Sequence, residues 1–193
     1  MSDQVVHAIK AGKVAIIPTD TVYGLVTTPY RSDPVRRLYQ LKGRPESQPS
    51  ALMAASLDWL FECVPELRGR AGRIAGALLP GPYTLVLVNP ARRFPWLCGD
   101  TPDRIGVRVP ALAGEAQTVL DRVGAVASTS ANLAGGPEPR SLVEVPEELR
   151  SVCVLLDGGE LPGEPSTVID FTGPEPVVLR EGAGDVARAL HAA

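Results

Sequence analysis

The chain lacks any apolar run long enough to cross a membrane, and it lacks an excess of charge of either sign. A transmembrane helix needs about 20 consecutive apolar residues, whereas apolar stretches such as residues 85–88 are far shorter. The formal net charge is only −3 over 193 residues, so a general nucleic-acid footprint is missing. Polar residues interrupt the first residues of the chain, and we therefore expect no signal peptide and a cytoplasmic location.

Histidine and cysteine are also scarce. The two histidines, His7 and His191, lie near opposite ends of the sequence and outside any recognisable motif. This scarcity excludes zinc clusters of the His/Cys kind and most His-dependent catalytic triads. The three cysteines form no C-x-x-C motif, and their odd number predicts buried thiols instead of a disulfide framework.

The chain does contain alternating helical and strand patterns along its whole length. Hydrophobic residues make up 45% of it, enough to bury a core, and the length favours one domain over residues 1–193. The intermixed patterns predict an α/β fold with a twisted, mixed parallel and antiparallel open sheet and flanking helices. The predicted strands are residues 14–17, 51–54, 83–88, 105–109, 125–127, 152–156, 167–171 and 176–179. The predicted helices are residues 2–11, a helix that begins at residues 32–34 and ends before Pro45, residues 57–64, 67–79, 114–123 and 142–149, and a last helix capped by Asp185.

Two of the polar segments admit both a structural and a functional explanation. Thr19 lies in residues 18–25, directly after the first predicted strand, where open α/β sheets place their ligands. Taken alone, a turn that satisfies its own backbone explains this segment better. Lys42 and Arg44 lie at a predicted helix end, where cations offset the helix dipole or, equally, converge on one phosphate or carboxylate.

A third polar segment favours a functional explanation. Ser128, Ser130 and Asn132 follow an apolar strand and run into a glycine-containing turn at residues 133–136. A single helix N-cap needs fewer hydroxyl and amide groups than this. The segment therefore predicts a turn that binds an anion or another polar ligand.

The remaining candidates are Ser166, Arg108 and Arg180. Ser166 and Arg180 are also compatible with ordinary edge-strand and surface positions, but Arg108 interrupts an apolar strand and must be paired with an anion if it is buried. Together with Lys42 and Arg44, the two arginines predict a polyanion site with a nucleoside triphosphate as the favoured ligand. Neither a Walker A motif nor G-x-G-x-x-G is present to supply a familiar phosphate loop.

Seven short motifs then point to a known family. PTDTVYGL, the K-x-R-P of LKGRP, GPYTLVL, IGVRVP, STSAN, PSTVID and VLREG follow one another between residues 12 and 182. In this order they resemble the YrdC-like family, the threonylcarbamoyl-AMP synthases, in its short single-domain form. The resemblance implies a YrdC-like fold with a concave, cationic cavity.

The same resemblance implies a reaction and its partners. Members of the family join L-threonine, bicarbonate and ATP, with Mg²⁺, into threonylcarbamoyl-adenylate and pyrophosphate. A downstream threonylcarbamoyl transferase complex then modifies the adenosine next to the anticodon of tRNA. For this chain we expect weak, salt-sensitive tRNA binding at most, and no membrane partner.

The motifs also imply roles for individual residues. Lys42 and Arg44 match the K-x-R pair that engages phosphates and the carboxylated substrate, and we take them as the catalytic residues. No metal-ligating side chain is implied. The remaining matches are Thr19, Arg108 and Ser166 on the L-threonine side, and Ser128, Ser130, Asn132 and Arg180 on the nucleotide side.

Two departures from the family pattern and two alternative functions stay open. Where many members have Asn or Lys before Pro-Leu, this chain has Gln48, Pro49 and Ser50, and some relatives have a histidine where Met53 lies. One alternative is an RNA-binding or ribosome-associated factor of the same fold. The other is a relative that makes a different carbamoyl-adenylate, such as the domain of hydrogenase maturation proteins, whose zinc-finger and acylphosphatase segments this sequence lacks.

Overall fold

The computed structural model describes residues 1–192, and its nine strands form one sheet in the order β7-β1-β2-β6-β3-β5-β4-β8-β9. Helices lie on both faces of this sheet. The strands are β1 (Ala15–Ile17), β2 (Gly24–Thr27), β3 (Ala51–Ala54), β4 (Tyr83–Val88), β5 (Arg104–Arg108), β6 (Ala125–Ser130), β7 (Val154–Leu155), β8 (Thr167–Asp170) and β9 (Val177–Arg180). The helices are α1 (Ser2–Lys10), α2 (Ser32–Lys42), α3 (Leu57–Cys63), α4 (Gly69–Leu78), α5 (Gly114–Val123), α6 (Glu147–Arg150) and α7 (Val186–His191), with a 3₁₀ turn at Pro95–Leu97.

The sheet is mixed, as the sequence predicts. The pairs β1–β7, β3–β5 and β4–β8 are parallel, and the other neighbouring pairs are antiparallel. Strand β6 lies in the interior of the sheet, where it pairs with β3 over residues 125–128 and with β2 over residues 127–130.

The two faces of the sheet are covered to different extents. One face carries side chains such as Leu25, Leu52 and Leu85, which form the larger core with α2, α3 and α4. The opposite face carries Val26 and Met53, which form a smaller core with α1 and α5. Successive side chains of a strand point to opposite faces, so strands such as β1, β2, β3 and β6 contribute to both cores.

The second face continues beyond α1 and α5 into an open concavity. On β2, β3 and β6, the residues two positions from the smaller core are Gly24, Ala51 and Ser128, and all three line a cavity. On β4 the cavity-side residues Thr84 and Val86 are only half-buried, whereas their neighbours on the other face are buried. The cavity is therefore the part of the second face that these two helices leave open.

The structure corrects several boundaries predicted from the sequence. Strand β2 was not predicted, and β6 extends through Ser130 instead of ending at residue 127. Residues 24–25 and 128–130 fall in segments predicted as polar turns, because glycine and hydroxyl residues are typical of turns. The helix predicted over residues 142–149 is wrong, because only α6 is helical there and Pro146 lies before its first residue, consistent with the steric conflict of proline inside a helix.

Other local expectations are confirmed. Asp185 caps α7 by accepting a hydrogen bond from the backbone N–H of Arg188 at 3.1 Å, and Cys63, Cys98 and Cys153 are free thiols. The prediction of buried thiols is confirmed for Cys98 and wrong for Cys63 and Cys153, which are only half-buried. Across residues 1–192, none of the helices combines the length and the apolar composition that a membrane crossing requires.

Candidate functional site

The cavity on the open part of the sheet has a volume of about 430 Å³. Its wall is made by strand residues of the floor, by the end of α2 and by the loops that follow β1 and β6. All nine residues singled out from the sequence line this one cavity, namely Thr19, Lys42, Arg44, Arg108, Ser128, Ser130, Asn132, Ser166 and Arg180.

Lys42 lies in the last turn of α2 and is almost fully buried. Its Nζ donates to the backbone oxygens of Ser130 at 2.7 Å and Asn132 at 3.0 Å, and to Asn132 Oδ1 at 2.6 Å. Burial lowers the pKa of Lys42 to about 8, with Arg44 acting in the same direction and Glu138 opposing it. The ammonium group therefore has dipolar partners but no carboxylate in direct contact among the described residues.

The turn after β6 is held in place from both sides. The backbone N–H of Ala131 donates to the carbonyl of Tyr23 at 2.8 Å, and Ser130 Oγ donates to Asn132 Oδ1 at 2.7 Å. The backbone N–H of Ala134 donates to the carbonyl of Lys42 at 2.9 Å. These contacts join the end of α2 to the hydroxyl-rich turn, so that the cation and the polar donors form one unit.

Arg44 reaches the cavity because the chain reverses at Gly43. Gly43 has φ of +67°, a left-handed conformation that glycine adopts without the strain of a side chain. Arg44 Nη1 donates to Thr129 Oγ1 at 3.1 Å and Nη2 donates to the carbonyl of Pro49 at 2.6 Å, while no described residue accepts from the buried Nε. Burial lowers the pKa of the Arg44 guanidinium.

Arg108 forms a buried ion pair with Asp20, the residue between the two threonines of the first polar segment. Arg108 Nη2 lies 2.6 Å from Asp20 Oδ1 and 3.3 Å from Thr21 Oγ1. Asp20 Oδ2 accepts from the backbone N–H of Ala111 at 3.0 Å. Burial lowers the pKa of Arg108, and Asp20 opposes that effect. The sequence-based expectation that a buried Arg108 needs an anion is confirmed, and the anion is part of the protein.

Thr19 satisfies both explanations offered for its segment. Its Oγ1 donates to the carbonyl of Val22 at 2.6 Å and lies 2.9 Å from Thr21 Oγ1, so it stabilises the local turn. The same side chain lines the cavity. Its Oγ1 also accepts from the backbone N–H groups of Thr21 at 3.2 Å and Val22 at 3.3 Å, so the hydroxyl is engaged within the turn both as donor and as acceptor.

Ser166 and Arg180 meet on the far wall of the cavity. Arg180 donates to the carbonyl of Ser166 from Nη2 at 2.8 Å and to Ser166 Oγ at 3.1 Å, while its Nη1 lies 3.3 Å from Glu138 Oε1. Ser166 Oγ is also 2.8 Å from Thr84 Oγ1 on β4. These residues come from three separate parts of the chain, so only the folded sheet brings them together.

Three further residues line the cavity but were not predicted as site residues from the sequence, namely Arg104, Thr84 and Glu138. Arg104 and Arg108 are four residues apart on β5 and therefore share a face, so the alternation around Arg108 contained the information to find Arg104. Arg104 Nη1 pairs with Asp170 Oδ2 at 2.9 Å. No comparable pattern in the sequence marks Glu138.

The cavity is poor in metal ligands. Within residues 1–192, no cluster of three Asp, Glu, Cys or His side chains could hold a metal ion, and Glu138 is the single carboxylate on the described cavity wall. Mg²⁺ characteristically keeps several waters and is bound through one or two carboxylates together with substrate phosphates. These residues therefore do not form a dedicated protein cage for Mg²⁺.

Comparison with known proteins assigns the chain to a family. A family model of the Sua5, YciO and YrdC proteins, described as telomere recombination, matches residues 7–182. The chain belongs to the Sua5/YciO/YrdC family. The family resemblance and the mixed α/β fold expected from the sequence are thereby confirmed.

Two relatives carry the same printed name. The threonylcarbamoyl-AMP synthase of Pyrococcus abyssi is 35% identical over 176 residues, which are 90% of this chain and 52% of that protein. The threonylcarbamoyl-AMP synthase of Vibrio parahaemolyticus is 32% identical over 188 residues, 93% of this chain and 98% of that protein. The chain thus spans about half the length of the Pyrococcus relative.

Solved structures of the family share the fold. Sua5 of Pyrococcus abyssi complexed with L-threonine superimposes with a TM-score of 0.83 at 34% identity, covering 94% of this chain and 55% of that one. YciO of Escherichia coli superimposes with a TM-score of 0.83 at 31% identity, covering 98% of this chain and 92% of that one.

The two departures from the family pattern occupy different environments. Gln48 is exposed and lines the cavity. Met53 is fully buried in the smaller core with α1 and α5, although its Cα is paired with that of Arg108 across β3 and β5. A methionine at this position therefore extends the apolar core up to the cavity edge without contributing to the cavity wall.

Proposed function

We propose that this protein is an L-threonylcarbamoyladenylate synthase. The observation that carries the proposal is the convergence of Lys42, Arg44, Arg108 and Arg180 with several hydroxyl groups in one cavity. Membership of a family with named threonylcarbamoyl-AMP synthases, and with a member complexed with L-threonine, supports the same activity. The substrates would be L-threonine, bicarbonate and ATP.

The proposed chemistry needs positive charge and positioning more than it needs a proton-transfer residue. The threonine amine attacks the carbon of bicarbonate, water leaves, and a carbamate forms. A carbamate oxygen then attacks the α-phosphorus of ATP, the bond to the bridging oxygen breaks, and pyrophosphate leaves. Preorganised cations stabilise the charge that develops on the phosphate oxygens, which is consistent with a cavity that contains no histidine.

The positions of the cations in the cavity suggest that different cations bind different groups of the ligands. Lys42 and Arg44 lie together at the end of α2 beside the turn with Ser130 and Asn132, a combination suited to phosphate oxygens. Arg108, held by Asp20 beside Thr21, would bind the threonine carboxylate. The other proposed contacts are Ser166 with threonine, and Ser128 and Arg180 with the nucleotide.

We further propose that Mg²⁺ enters with ATP and is held mainly by its phosphates. This follows from the shortage of carboxylates on the cavity wall and from the preference of Mg²⁺ for phosphate oxygens and water. When bound, the ion would neutralise phosphate charge. The product would pass, in the cytoplasm, to the transferase complex that modifies tRNA.

Direct detection of the adenylate tests the proposal. The protein is incubated with ATP, Mg²⁺, bicarbonate and labelled L-threonine, and we expect a labelled adenylate together with pyrophosphate. Omission of bicarbonate should abolish the product, and valine should replace threonine poorly, because a site that binds a hydroxyl strongly rejects an analogue without one. The proposal would be contradicted if labelled valine gave as much adenylate as labelled threonine, or if threonine gave no adenylate.

A matched pair of lysine variants serves as the internal control. Lys42→Ala removes a charge-assisted contact of about 1.5–3 kcal/mol, so ATP affinity should fall roughly 10- to 150-fold. Lys10→Ala removes the same charge from an exposed position on α1 and should leave affinity unchanged. Equal ATP affinity in both variants would place the anion site elsewhere.

A further inference from the structure

Glu138 is an acidic residue in an otherwise cationic cavity. It lies in the loop after β6, and its side chain is 22% exposed. Its Oε1 is 3.3 Å from Arg180 Nη1. Its charge also acts on Lys42 and Arg108, where it opposes the lowering of the pKa that burial causes. The carboxylate therefore influences three of the cations that the proposed function assigns to anionic groups of the ligands.

Asp20 and Asp170, which also pair with arginines of the cavity wall, are fixed by additional partners. Asp20 accepts from both Arg108 and the backbone N–H of Ala111. Asp170 pairs with Arg104, and its Oδ1 accepts from the backbone N–H and the hydroxyl of Thr172. Both acids are thereby part of the framework.

Glu138 is held much less firmly than these two acids. Within residues 1–192, the only hydrogen bond of its carboxylate is the 3.3 Å contact with Arg180. A single long contact of a partly exposed pair stabilises little. Arg180, by contrast, stays anchored through its bonds to Ser166 when the carboxylate leaves.

We propose that Glu138 is an internal counter-ion of the anion site, which occupies Arg180 while the cavity is empty and is displaced by an anionic group of the ligand. When the ligand binds, its anionic group takes the place of the Glu138 carboxylate at Arg180, and the ion pair between Glu138 and Arg180 is broken. The carboxylate thereby weakens anion binding and favours the release of an anionic product. This inference rests on the proposed function only in so far as the ligand carries phosphates.

The counter-ion role predicts an effect of opposite sign to that of the other cavity residues. Glu138→Gln keeps the shape of the side chain and removes its charge. We expect it to bind inorganic pyrophosphate, measured by titration calorimetry without Mg²⁺, about 2- to 5-fold more tightly than the parent. The gain should shrink as salt is added, because the contact is partly exposed.

Glu160→Gln is the matched control. Glu160 pairs with Arg140 at 2.9 Å, is 70% exposed and lies outside the cavity wall. The substitution changes the net charge by the same amount. We expect less than about a twofold change in pyrophosphate affinity at physiological salt, because the cavity is screened from this position. If Glu160→Gln raised pyrophosphate affinity as much as Glu138→Gln does, the change in net charge alone would explain the effect, and the proposal would be overturned.

The remaining outcomes are equally decisive. Unchanged or weaker pyrophosphate binding by Glu138→Gln would overturn the proposal, provided that its melting temperature shows a folded protein; Glu138→Ala repeats the test with a smaller side chain. Weaker ATP binding only when Mg²⁺ is present would assign the carboxylate to the metal, and would also overturn it. Because the measurement needs neither threonine nor adenylate formation, the counter-ion role and the proposed enzymatic activity fail independently.

Discussion

The buried ion pair between Arg108 and Asp20 leads to a strong prediction about stability. The two side chains are 9% and 8% exposed, and Arg108 Nη2 lies 2.6 Å from Asp20 Oδ1. Asp20→Ala would leave the guanidinium buried without its counter-ion. Removal of one partner of a buried pair destabilises a protein by about 3–5 kcal/mol.

The structure favours the lower end of this range for two reasons. The cavity beside Arg108 admits water or a solute anion in place of the lost carboxylate, and Ala111, whose backbone N–H loses its acceptor, is exposed. We therefore expect a loss of about 3 kcal/mol in the free energy of unfolding. For a chain of this length, that corresponds to a melting temperature lower by about 6–12 °C.

Urea denaturation and thermal melting measure this loss, and two further variants make the test specific. Glu160→Ala removes the carboxylate from an exposed pair with Arg140 and should hardly move either midpoint. The double variant Asp20→Ala/Arg108→Met removes both charges, and it should be more stable than Asp20→Ala alone because an uncharged pair leaves no buried ion unpaired. A double variant less stable than the single one, or an Asp20→Ala variant as stable as the parent, would refute the reasoning.

Three further predictions concern the cavity and its supports. ATP affinity, measured by calorimetry, should fall up to tenfold per pH unit above about pH 8. Binding requires the ammonium form of Lys42, so above this pH it must take up a proton. In Lys42→Met, ATP affinity should not depend on pH in this range. Gly106→Ala should weaken ATP binding at an unchanged melting temperature. The added Cβ projects from the cavity floor and lies 3.5 Å or more from every atom outside its chain neighbours. Gly76→Ala in α4 serves as a control for ATP binding. Tyr23→Phe should lower the free energy of unfolding, measured by urea denaturation, by about 1–3 kcal/mol, because the hydroxyl accepts from the backbone N–H of Gly158. ATP affinity should not change, because this hydrogen bond lies outside the cavity wall.

The sequence by itself determined the fold class and the chemical types at the site. The apolar runs at 83–88 and 14–17, rich in β-branched and aromatic residues, were sufficient to predict strands, because residue type is a local property. Lys42, Arg44 and Asn132 stood out for the same local reason, as cations and amides beside glycine and predicted element ends. Their common location in the cavity agrees with that analysis.

Only the tertiary structure decided which charges meet. Asp20 and Arg108 are 88 positions apart, as are Lys42 and Ser130, and such pairs follow from strand order and register, which local patterns do not specify. Glu138 illustrates the same limit, because its sequence neighbourhood resembles any polar loop. Strand β2 begins in the segment predicted as a turn, and the end of β6 is rich in hydroxyl groups, so only the assembled sheet shows that these segments are strands.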